Sequence, residues 1–172
     1  MANRRFETDL SVKGINNLIK QLNAYKKELE GKNELFVERL AEIGIPVINQ
    51  HIAASVGDSD TSHETYITVR NYGSISRATL YVEGKDLLFI EFGAGVHFNS
   101  AAGSSPHPKG QEFGYTIGSY GKGQGAKDFW VYYDLAGEKQ FSQGTMATMP
   151  VYSAYVEIKR QILTIAKEVF GG

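Results

Sequence analysis

Glu91, His97, His107 and Glu112, in the middle of the chain, are side chains of the types that hold metal ions or move protons. Together they would suit a small metal-dependent hydrolase, with imidazoles on the metal and a carboxylate as general base. The spacing is not that of a helical metal pair, whose ligands stand four residues apart. His97 and His107 are ten apart, and Pro106 and Pro108 flank His107, so both are read as solvent-exposed loop histidines. His51 and His63 fall at a helix end and in a polar turn, without a recognisable partner.

The run Gly118 to Gly125, GSYGKGQG, places glycines around Lys122 and invites a phosphate-cradle reading. A loop of the form G-x-x-x-x-G-K-[ST] needs glycine at 116 and a hydroxyl at 123. The chain has Thr116 and Gly123, so the pattern fails. The glycines at 121, 123 and 125 also miss the dinucleotide fingerprint. Ser119 follows a glycine but lacks the G-x-S-x-G elbow of a serine nucleophile. Lys109, Lys122 and Lys127 among Tyr115, Tyr120, Phe129 and Trp130 could neutralise phosphates and stack bases, the chemistry of a nucleic-acid chaperone. The charge balance opposes strong binding: 18 basic and 19 acidic residues leave a net charge of -1. No catalytic residue, metal ligand or cofactor site is assigned.

The 172 residues are 42% apolar, enough for one domain with its own core, and cysteine is absent, which excludes disulfides and thiolate chemistry. The N-terminal MANRRFETDL has arginines without a following apolar run, and no stretch approaches a membrane span. The expectation is a soluble protein of a reducing compartment.

Helical zones flank a strand and loop zone. Ile15, Leu18, Ile19, Leu22, Tyr25 and Leu29 recur every three or four residues, predicting a helix from Val12 that ends at Gly31. Asn33 is read as the cap of a second helix running to Val56, kinked near Glu42 to Pro46. Thr65–Arg70 and Thr79–Glu83 read as antiparallel strands joined through Asn71–Arg77. LLFIEF at 87–92 is short and apolar, either helix or extended edge. Nine of the 19 glycines and two of the four prolines fall between Gly93 and Gly125, a long loop suited to ordering by contact with a partner. Phe129–Asp134 reads as a strand, and Pro150 opens a closing helix over about 149–170. The fold class is therefore α+β: N-terminal helices at about 12–56 and a C-terminal helix on a small antiparallel sheet, in one domain.

Several pieces occur in an order that resembles the HK97 gp10-like family of tailed-phage neck and tail-completion proteins. They are Glu91-Phe92-Gly93-Ala94-Gly95, then Gly118 to Gly123, the Trp130 and Tyr132 strand, and Gly144 leading into Met149 to Ala154. The resemblance spans nearly the whole chain. It implies a structural virion protein without catalytic activity, a homo-oligomeric ring in the head-to-tail neck. The implied partners are other connector and tail proteins, with weak contact to packaged DNA and none to membrane. The implied location is the virion, and the host cytoplasm during assembly. Candidate interface or structural residues are Glu91, Phe92, Gly93, Gly95, Tyr115, Tyr120, Lys122, Trp130 and Pro150. An acid inside an apolar run must be paired. Glu91 is therefore expected to bind backbone N–H groups around Gly93 and Gly95, or a lysine or arginine. Trp130 is expected to anchor a core or interface.

Overall fold

A computed structural model describes residues 5–94, 105–115, 129–134 and 136–171. Helix α1 spans Val12–Ala53 and is followed by strands β1 (His63–Tyr72) and β2 (Ile75–Gly84) and the short helix α2 (Leu87–Phe92). Strands β3 (Trp130–Tyr133) and β4 (Lys139–Ser142) precede helix α3 (Pro150–Phe170). The α+β architecture with helices at both ends matches the sequence reading. The strands form two separate two-stranded antiparallel sheets, β1 with β2 and β3 with β4. Among the described residues, no helix is long and apolar enough to cross a membrane.

The two helices expected before the sheet are one. Residue 31 has nothing within 4 Å of where a Cβ would stand, so no close approach demands glycine there. A glycine inside a helix costs only about 1 kcal/mol relative to alanine. The i,i+4 ion pair Glu28–Lys32 (3.5 Å) spans the position, and Lys26–Glu30 (3.9 Å) supports the turn just before it. Asn33 therefore lies in the helix interior instead of capping a new one. Ser11 caps the real start, its hydroxyl accepting from the Gly14 N–H at 3.0 Å. Helix α1 also runs unbroken through Pro46.

The β1–β2 hairpin is longer than expected, pairing from His63↔Gly84 to Tyr72↔Ile75. Gly73, at φ 68, supplies the left-handed conformation that lets a two-residue turn replace the longer connection. Helices α1 and α3 lie antiparallel: His51 meets Thr148, Arg39 pairs with Glu168 at 3.2 Å, and Phe36 packs on Phe170. The core forms where the C-terminal half of α1 meets α2 and the start of α3, around Ile48, Ile52, Ile90 and Ala154, with Leu80 and Val82 of β2 against it. At Gly44 a Cβ would run into Leu80, with Ile158 and Ala154 close behind, so here the absent side chain is what admits both neighbours.

Candidate functional site

Helix α3 begins with Pro150, which has no N–H, and no acidic side chain stands in its first turn. The positive end of the helix and its free N–H groups therefore need an acceptor from elsewhere. Glu91 supplies it from α2. Its Oε2 accepts from the Val151 N–H at 2.7 Å and its Oε1 from the Tyr152 N–H at 2.9 Å. A third donor is His107 Nε2, 3.0 Å from Oε1, and both residues are buried. His107 Nδ1 accepts from the Lys109 N–H at 3.0 Å, which fixes the tautomer: the proton sits on Nε2 and points at Glu91.

The surrounding backbone is tied just as closely. The Thr148 N–H donates to the Ile90 carbonyl at 3.0 Å, and His51 Nδ1 donates to the Thr148 carbonyl at 2.6 Å. Thr145 exchanges both backbone bonds with Ala94 at 2.9 Å, and the Met146 N–H reaches the Val56 carbonyl at 2.8 Å. Met149 is left-handed (φ 52) and aims the chain into α3. The segment before α3 thus joins the ends of α1 and α2.

Residues 105–115 fold over this junction. Ser105 donates its hydroxyl to the Phe92 carbonyl, Phe92 and Tyr115 stack with centroids 3.8 Å apart, and Phe92 also touches His107 at 4.6 Å. Beside them lies an open groove of about 680 Å³ walled by Leu88, Phe113 and Tyr155. On its rim Glu112 binds Lys109 at 2.8 Å, holding that ammonium above its ordinary pKa through the hydrogen bond and its charge.

Four of the candidate residues, Glu91, Phe92, Tyr115 and Pro150, meet at this junction. Gly93 ends α2 at φ 77, its N–H on the Phe89 carbonyl at 2.8 Å. Gly95, Tyr120, Lys122 and His97 lie outside the described residues. Trp130 contributes its backbone to β3 opposite Ser142, and its side chain lies outside the description. Three readings need correction. His107 is 7% exposed, because the two flanking prolines belong to a loop that doubles back onto α2 and α3. Glu91 is paired as an acid in an apolar run must be, but its backbone donors belong to α3 instead of lying near Gly93 and Gly95. The part of the glycine-rich stretch at 105–115 packs on its own chain, so Tyr115 anchors that loop internally. Sequence reasoning missed His51, Thr145 and the first turn of α3. A proline-started helix without an acid of its own was the available signal.

Chemically, the junction holds structure together. Both oxygens of Glu91 and both nitrogens of His107 make hydrogen bonds within the chain, so a proton or metal taken up there competes with the bonds that hold the start of α3. Comparison with family models, curated proteins and solved structures finds no match to this chain.

Proposed function

We propose that this chain is a structural subunit of a tailed-bacteriophage virion, one copy of a homo-oligomeric ring in the head-to-tail neck, with no catalytic role. The observation that carries the reading is the imbalance between core and surface. Among the described residues the largest fully buried side chains are Ile48, Ile52, Ile90 and Pro150, whereas Ile19 on α1, Ile75 at the hairpin tip, Phe141 on β4 and Leu163 on α3 are at least half exposed. On α1, Ile15, Ile19 and Leu22 stand three and four residues apart on one face and are all exposed, a contiguous apolar strip of the kind a neighbouring subunit would cover. The ordered motifs from Glu91 to Ala154 supply the same reading from the sequence side. The other members of the neck, tail proteins and weakly held packaged DNA would be its partners.

The hydrolase reading finds Glu91 and His107 bonded to each other and, through Glu91, to the first turn of α3, while His97 lies outside the described residues. The test is deletion of the gene in a phage that carries it. Filled heads and unattached tails are expected, restored by the gene in trans. Normal infectious particles without the protein overturn the proposal.

A further inference from the structure

Helix α3 ends at Phe170, against Phe36, so α1 from Val12 to Leu35 runs on past it as an arm about 36 Å long. The segment before α1 lies along one flank, with Phe6 against Tyr25 at 5.6 Å. The adjoining side is open: Ile15, Ile19 and Leu22 are 42%, 50% and 45% exposed. Lys13, Lys20 and Lys27 recur every seven residues and so form a row, roughly a quarter-turn round from Ile19. From Val12 to Lys27 there is no acid. The arm thus carries an apolar strip beside a basic one.

At the opposite end of the molecule is a cleft of about 480 Å³ with the complementary character. Its walls carry Asp58, Asp60, Asp86 and Asp134 beside Phe89 and Tyr133, and Lys85 is the basic residue among its described lining. The aspartates accept from neutral donors: Asp58 from the Gln143 N–H at 3.1 Å, Asp86 from the Asp60 N–H at 2.8 Å. Asp60 accepts from the Ser62 N–H at 2.8 Å, and Asp134 from the Gln140 amide at 2.9 Å. These bonds leave the cleft negative.

The arm cannot reach its own cleft. The 42-residue helix between them holds Ile19 about 50 Å along its axis from the end that borders the cleft. We propose that the arm of one copy docks in the aspartate-lined cleft of a second copy, Ile15 and Ile19 against Phe89 and Tyr133, and Lys20 and Lys27 toward the aspartates. Two different patches at opposite ends make a head-to-tail contact, which repeats from copy to copy and closes into a ring when the rotation permits. The inference deepens the ring reading above, on which it rests, by naming the contact between subunits.

Charge exchange tests it. An arm variant, Lys13→Glu with Lys20→Glu and Lys27→Glu, and a cleft variant, Asp58→Lys with Asp86→Lys, are purified and followed by sedimentation velocity across the micromolar range. Wild type is expected to self-associate, more weakly in high salt. Each variant alone is expected to bind itself about 100-fold more weakly or worse, since like charges meet. The mixture is expected to assemble again, because each arm then finds a cleft of opposite sign. Circular dichroism checks folding. If the cleft variant does not fold, Asp58→Asn with Asp86→Asn keeps the acceptors, removes the charge and is expected to weaken association about tenfold. A monomeric wild type, folded variants that fail to restore each other, or neutralised aspartates without effect would each overturn the docking. The ring reading is judged separately, by the phage deletion.

Discussion

The two halves of α1 share one hydrophobic period and meet opposite fates. From Ala41 onward the stripe is covered by α2, α3 and β2, and it includes the fully buried Ile48 and Ile52. Before Leu35 the same stripe leaves Ile15, Ile19 and Leu22 open. A helix of 42 residues is therefore half core element and half projection. Periodicity identifies which face is apolar, while the cover comes from elements that approach through tertiary contact.

The largest break in that contrast is expected at Glu91. Glu91→Ala strips the first turn of α3 and the buried His107 of their acceptor, and is expected to cost about 3–5 kcal/mol in urea unfolding. Glu91→Gln, which keeps an acceptor, should lose less. Next, Ile52→Ala in the covered half is expected to cost about 2–5 kcal/mol. Ile19→Ala in the open half should stay within about 0.5 kcal/mol for the isolated protein. Equal losses at the two isoleucines would erase the distinction between the halves.

Glycine offers a sharper comparison, because the sign should reverse along one helix. Gly31→Ala meets open space and is expected to stabilise by up to about 1 kcal/mol. Gly44→Ala drives a methyl into Leu80 and is expected to destabilise by about 1–3 kcal/mol despite its better helix propensity. Thermal unfolding of the pair reads both signs.

The smallest expected effect is a response to acid in the β3–β4 hairpin. Hydrogen bonds from Gln140 and from the Glu138 and Ala136 N–H groups hold the Asp134 carboxyl below its ordinary range. A depressed folded pKa adds stability that is fully present above the unfolded value and disappears as pH falls through the folded one. Amide exchange at Ala136 and Glu138 should therefore accelerate, relative to intrinsic rates, as pH drops below the usual aspartate range. The Ile48–Ile52 core should show no matching change. At the other pH extreme, Tyr66 donates to Glu83 at 2.5 Å, and this bond pushes its phenol up to about 12.

Much of the fold was legible because local pattern and tertiary need agree. Helix α3, the β1–β2 pair and the strand around Val131 follow from period and β-branching. The break expected at Gly31 failed because one unfavourable residue cannot outweigh well-formed turns on both sides. Strand β4 was missed because four residues of mixed character, KQFS, carry almost no alternation. The site was half legible. An acid within LLFIEF announced a buried partner, but the donors lie sixty residues away at Val151 and Tyr152, a distance no local pattern encodes. His107 was misjudged for the same reason, since its partners lie on α2 and α3, distant in sequence from its loop.

The stretch from Gly144 to Pro150 has one more implication. A polypeptide stopped short of it leaves the carbonyls of Val56 and Ile90 and both backbone groups of Ala94 without their mates, and Glu91 without its two donors from α3. Such a fragment exposes unsatisfied polar groups where the finished protein has a sealed seam. The seam between α1, α2 and α3 therefore closes only when the residues from Gly144 to Tyr152 are in place.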